Sequence, residues 1–230
     1  MAPPDLRWCR KHGKRTPTYV SPYELDRDSD EWIHAEEVAW KYIAPKRGVP
    51  SRYRSTAFRT SAKTPAIDAV RLMLDDDDYL SRALVIEGGP GCGKTTACHC
   101  FYRHQLIGEA KNGVGSDLTL FLPFPKLVSD LLDSEARALT LERCCDADDL
   151  IVDDWGATYV KPEGMVYGLL EEIIIDREAD EMPMLIATNL SPKKFRKAFG
   201  ERIYDRLRGE WGSWINVDAP TLRRKPEPRR

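Results

Sequence analysis

Gly88-Gly89-Pro90-Gly91-Cys92-Gly93-Lys94-Thr95 stands between an apolar run at 83–87 (ALVIE) and a stretch of helical spacing that begins at Lys94. These eight residues satisfy GxxxxGK[ST] in the strand, loop, helix context that gives the motif its meaning. Glycines let the loop turn tightly, so that successive backbone N–H groups point inward, and the following helix presents its positive N-terminus to the same point. The pattern predicts a phosphate cradle built from Gly88, Gly89, Pro90, Gly91, Cys92 and Gly93. Lys94 then reaches the β- and γ-phosphates of ATP, and the Thr95 hydroxyl ligates Mg²⁺. Thr96 is counted at the helical edge of the cradle, where it also reads simply as the next residue of the helix.

Working outward, residues 150–154 (LIVDD) are an apolar strand that delivers two carboxylates at its C-terminal end, the edge at which open α/β sheets bind ligands. Asp153 is the expected Mg²⁺ ligand, and Asp154, one residue further, the group that orients and deprotonates an attacking water. The same pair would also suit a turn cap before Gly156. Residues 184–189 (MLIATN) form another strand, ending in an amide. Asn189 there reads as a γ-phosphate sensor, or as an Asx turn that opens a helix at Ser191-Pro192.

Short apolar runs at 83–87, 118–122, 150–153, 184–188 and 214–217 alternate with helical stretches at 94–107, 124–133, 163–180 and 192–208. Several of the runs are apolar on both faces, as buried parallel strands are. The alternation predicts a doubly wound α/β sandwich. Upstream, Thr64-Pro65 starts a helix whose Ile67, Val70 and Leu74 recur at helical spacing, and which closes before the four aspartates at 75–78, read as a solvated turn. Residues 1–62 are expected to be a weakly ordered or partner-dependent arm, helical only at 31–43, with 63–230 forming the ATPase domain.

The chain has 230 residues, 42% hydrophobic and 31% charged, which is the composition of a globular protein. Its longest apolar runs are far short of a membrane span. The N-terminus has no apolar stretch to act as a signal peptide, so a cytoplasmic location is expected. None of the six cysteines forms a CxxC pair, and Cys9 with His12 lacks the second pair that a zinc site needs, so the thiols are expected to be reduced and mostly buried. A net charge of −2 excludes a surface that is basic throughout, although local basic segments occur at 7–15, 41–54 and 222–230.

With these residues assembled, the sequence resembles the DnaC/IstB branch of AAA+ ATPases over about residues 48–223. The residues that carry the likeness are Gly48-Val49-Pro50-Ser51-Arg52-Tyr53-Arg54 with Phe58 (an IPxRY…F motif), LIVDDWG at 150–156 (Walker B), ATNLS at 187–191 (sensor 1), and Gly200-Glu201-Arg202-Ile203-Tyr204-Asp205-Arg206-Leu207, similar to GERxxDRL. The resemblance implies a sheet of strand order 5-1-4-3-2, a minimal or absent helical lid, and Asn189 as sensor 1. It makes Arg206 an arginine finger that enters a neighbouring subunit's site, with Arg202 a second candidate or an ion-pair partner. A sensor 2 arginine falls at Arg223 or Arg224. Since a finger cannot serve its own site, the resemblance also implies a homo-oligomer with ATP between subunits. It implies binding of a replicative DnaB-type helicase and single-stranded DNA during DNA replication initiation, as a helicase loader does. A transposition helper of the IstB type, acting on duplex DNA, is the alternative, and a nucleotide-gated binding module with little turnover is a third reading.

Overall fold

The computed structural model describes residues 30–54, 56–58, 61–75, 83–111, 119–217 and 219–221. Arg223, Arg224, Cys9, His12, the aspartates at 76–78 and the basic segments 7–15 and 222–230 lie outside the described residues.

Five strands form one parallel sheet: β1 (Ala83–Gly88), β2 (Thr119–Pro123), β3 (Asp149–Trp155), β4 (Met184–Thr188) and β5 (Gly212–Val217). The order β2-β3-β4-β1-β5 is, from the other edge, the expected 5-1-4-3-2 of an AAA+ P-loop sandwich. The three central strands are apolar on both faces because helices cover both. Leu84 and Ile86 of β1, Ile151 of β3, and Leu185 and Ala187 of β4 pack on one side with α3 (Pro65–Asp75) and α4 (Lys94–Lys111). Their alternate neighbours Val85, Leu150, Val152, Met184 and Ile186 pack on the other, with α5 (Phe124–Leu132), α6 (Arg137–Asp146), α7 (Met165–Ala179) and α8 (Pro192–Arg206). Among the described residues β5 is the last element, so no helical lid follows it there.

Register matters most at the C-terminal edge. Glu87 of β1 lies opposite Thr188 of β4, so the loop after β1 and the turn after β4 emerge side by side. Val152 of β3 pairs with Ile186, but the next pair is Trp155 with Thr188. Asp153 and Asp154 therefore face only Ala187 across the ladder, a bulge that turns β3 at its functional end and sets Asp154 at φ 56.

The described residues from Asp30 onward, within the segment expected as a weakly ordered arm, run along α4. They form α1 (Asp30–Val38), a π-helical stretch (Ala39–Ile43) and α2 (Ala44–Lys46), followed by a 3₁₀ turn (Ser51–Tyr53). Ala35, Ala39, Ala44 and Val49 are buried against the body. The step from 39 to 44 is five residues because the π-turn winds wider, which explains the irregular apolar spacing in this stretch. Polar ties add to it: Arg103 of α4 pairs with Glu36 and donates to the Arg54 carbonyl, and Arg47 pairs with Glu109 at 2.7 Å.

On the opposite side of the sheet, the fully buried Arg177 of α7 donates to the carbonyls of Cys144, Ala147, Asp148 and Pro183. One guanidinium thereby ties the end of α6 to the starts of β3 and β4, and burial lowers its pKa to about 10. The described cysteines, Cys92, Cys98, Cys100, Cys144 and Cys145, are free and buried. No helix among the described residues is long and apolar enough to cross a membrane.

Candidate active site

The loop between β1 and α4 has Gly91 and Gly93 at φ 87 and 99, backbone that glycine alone adopts without strain. A cavity of about 210 Å³ opens over it, lined by Tyr53, Pro90, Gly91, Gly93, Lys94, Thr95, Thr96, Asp154 and Asn189. The Lys94 ammonium is buried and donates to the carbonyls of Gly88 (2.8 Å) and Gly89 (2.9 Å) and to Asn189 Oδ1 (2.8 Å). Cys92 Sγ lies 3.5 Å from the same nitrogen. Thr95 Oγ1 donates to Asp153 Oδ1 at 3.2 Å, and Asn189 Nδ2 to Asp154 Oδ1 at 3.4 Å. Strands β1, β3 and β4 thus bring together Lys94, Thr95, Asp153, Asp154 and Asn189 at one edge of the sheet.

Burial, and then the adjacent charge of Asp154, raise the Asp153 carboxyl from 3.8 to about 6, with the Thr95 hydrogen bond opposing. A buried carboxylate beside a hydroxyl is a hard-oxygen donor pair whose charged form a divalent cation would stabilise, and it suits Mg²⁺. Among the described residues no cluster of three or more His, Cys, Asp or Glu could hold a metal unaided. A site of this kind completes its coordination with substrate phosphates and water.

Three features were not read as site residues from sequence. Tyr53 walls the cavity from the arm. Its ring stacks on His99 of α4 (centroids 3.9 Å apart), which stacks on Phe121 of β2 (4.5 Å). Burial and the Arg52 charge lower the His99 pKa to about 4, so the sandwiched ring is neutral. Thr188 is fully buried; its Oγ1 donates to the Trp155 carbonyl (2.8 Å) and accepts from Leu190 N (3.1 Å). It fastens the turn that carries Asn189 to the bulge that carries Asp154. Tyr53 and Thr188 fall inside stretches that carry the family resemblance, at 48–54 and 187–191, but neither stretch says that the ring walls the cavity or that the hydroxyl ties two turns together.

Arg202 and Arg206 do not line the cavity of their own chain. They follow Gly200, where α8 kinks at φ 77, and both reach α7: Arg206 pairs with Glu178, and the 71% exposed Arg202 lies 3.2 Å from Glu171.

Neither a comparison with protein-family models nor one with curated proteins finds a match. Solved structures do match, at identities that speak to fold. The chain is similar to a crystal structure of the DnaC helicase loader, at TM-score 0.57 and 19% identity over 74% of this chain and all of that one. It is similar to DnaI, at TM-score 0.59 and 18% identity over 76% of this chain and 95% of that one. A replication initiator DnaA bound to AMPPCP and single-stranded DNA matches at TM-score 0.58 and 15% identity, over 75% of this chain and 52% of that chain. The fold is a DnaC-like AAA+ fold.

Proposed function

We propose that this chain is a Mg²⁺-dependent AAA+ ATPase of replication initiation that works as a helicase loader. The observation that carries the ATPase reading is the network through Lys94, Asn189 and Asp154: cation, sensor amide and candidate base already converge on one glycine-lined cavity. A γ-phosphate would compete for Lys94 against the Gly88 and Gly89 carbonyls and win, because a phosphate oxygen adds the attraction of a full negative charge for the ammonium where a carbonyl offers only a dipole. The inward-facing N–H groups of the loop and the α4 N-terminus hold the phosphate chain. Thr95 and Asp153 would hold Mg²⁺, which would supply neutralisation of phosphate charge. Asp154 accepts the proton of the attacking water, and Asn189 orients that water or the γ-phosphate.

That Arg202 and Arg206 lie away from their own cavity supports a shared site, in which Arg206 serves a neighbouring subunit and ATP sits at the interface of a homo-oligomer. The likeness to loaders and to an initiator bound to single-stranded DNA supports a replicative helicase and single strands as partners. Lys94→Ala should abolish ATP binding, whereas Asp154→Asn should bind normally and hydrolyse about 10²- to 10⁴-fold more slowly. Arg206→Ala should bind ATP yet stay slow at all protein concentrations, and should partly recover when mixed with Lys94→Ala subunits. Nucleotide affinity and phosphate release read all three. Normal hydrolysis by Asp154→Asn and Arg206→Ala would remove the proposed roles, and tighter binding to duplex than to single strands would favour the transposition helper.

A further inference from the structure

Helix α8 opens with Pro192-Lys193-Lys194-Phe195-Arg196-Lys197-Ala198-Phe199, four cations and no acid in two turns of a chain whose net charge is −2. Phe195 and Phe199 are buried in the core, while Lys193, Lys194, Arg196 and Lys197 are all exposed. Arg196 is engaged by Glu201 at 2.7 Å and lies over the Tyr204 ring, 5.3 Å from its centroid. No described residue lies within ion-pair reach of Lys193, Lys194 or Lys197. The arrangement works against the helix that carries it. Like charges three and four residues apart repel, and cations in a first turn oppose the helix dipole. Both penalties vanish when an anion is bound. A row of ammonium groups at helical spacing beside a helix N-terminus presents to solvent what a chain of phosphates requires: donors, positive charge and an N-terminal dipole. An acidic protein surface would be served as well by a single ion pair, whereas an uncompensated row is matched by a polyanion.

We propose that the exposed face of α8 formed by Lys193, Lys194 and Lys197 is a phosphate-backbone track for single-stranded nucleic acid. The track is independent of base sequence, because lysines contact phosphates rather than base edges. It begins four residues after Asn189, so the element that leaves the γ-phosphate sensor is the one that grips the strand. This inference rests on the reading of the chain as a DNA-handling ATPase, and names the surface that does the handling.

The test compares the parent with a Lys193→Ala, Lys194→Ala, Lys197→Ala variant, in the presence of AMPPCP, by anisotropy of fluorescein-labelled oligothymidylate between 50 and 200 mM salt. Each single-strand phosphate contact contributes about 0.7 to the slope of log affinity against log salt, so the variant's slope should be smaller by about 2. That amounts to on the order of 20-fold less affinity lost across this salt range. The triple Lys→Arg variant should keep the parent slope, and basal ATP hydrolysis should be unchanged in both. Equal slopes in parent and triple Ala variant would overturn the track while leaving the ATPase reading intact. Loss of self-association at an unchanged slope would reassign the face to a protein contact. A parent that binds neither single strands nor duplex would overturn the DNA-handling reading together with the track.

Discussion

His99 within α4 and Asp153 beside that helix's first turn titrate in opposite senses, so acidification of the metal-free, nucleotide-free protein should reveal them as a compensating pair. His99 is 5% exposed and its pKa is lowered from 6.5 to about 4. Between those values the unfolded chain takes up a proton that the folded ring refuses, so stability falls as pH drops through 6.5. Asp153 is 6% exposed and its pKa is raised from 3.8 to about 6. The folded state holds a proton that the unfolded chain has released, so stability rises as pH drops through 6 and is lost again as pH climbs back through it. Each displacement corresponds to roughly 3 kcal/mol. The two windows overlap between 4 and 6, and there the contributions largely cancel. His99→Phe keeps a ring between Tyr53 and Phe121 and removes one arm of the balance; Asp153→Asn keeps an acceptor for Thr95 and removes the other. Relative to the parent, His99→Phe should gain about 2–3 kcal/mol between pH 7 and 4.5, and Asp153→Asn should lose about 2 kcal/mol over the same interval. Urea unfolding followed by tryptophan fluorescence, with a chelator present, measures both differences. Variant and parent curves that run parallel across this range would show that neither group is shifted, and the account of burial around the P-loop helix would be wrong.

Two further expectations concern geometry. Thr188→Val preserves shape but leaves the Trp155 carbonyl and Leu190 N–H without their partner, so it should cost about 1–3 kcal/mol and lower kcat with little change in ATP affinity, whereas Thr188→Ser should restore turnover. A Val variant with parental kcat would show that the Asn189 turn is held by something else. Gly200→Ala should destabilise by about 2 kcal/mol or more, because φ is +77 there and the new Cβ would lie 2.4 Å from the Tyr167 hydroxyl. Tyr167→Phe in the same chain should recover only the steric part, and an unchanged urea midpoint in Gly200→Ala would refute the strain.

All five strands were legible as apolar runs, and the helix stretches at 94–107, 124–133, 163–180 and 192–208 correspond to α4, α5, α7 and α8. What carried that reading is burial on both faces, which leaves unbroken apolar runs at 83–86 in β1, 150–152 in β3 and 184–187 in β4. Helix α6 was not read. It exposes Leu139 and buries Cys144 and Cys145, so its apolar residues mark no clean face. The packing of the arm on α4 was not legible, because the π-turn at 39–43 shifts its buried positions Ala39 and Ala44 off the ordinary helical period. Of the site, the residues joined by short motifs were legible: Lys94, Thr95, Asp153, Asp154 and Asn189. The roles of Tyr53, His99 and Thr188 were not, although Tyr53 and Thr188 stand in quoted motifs, since each role is a contact across the fold. The basic face of α8 escaped for another reason, because its lysines alternate with buried phenylalanines and only the helix gathers them on one side.

The left-handed backbone at Asp154 limits how this position can drift over generations. Aspartate and asparagine are among the few residues with a side chain that sit readily at positive φ, while valine, alanine, tyrosine or glutamate would each strain the bulge. Apart from glycine, which would remove the side chain altogether, the substitution easiest to tolerate structurally is therefore asparagine, the one that keeps the turn and discards the proposed proton acceptor. Were the proposed reaction no longer selected, asparagine would be expected at this position early, leaving the bulge and the glycine loop folded as before.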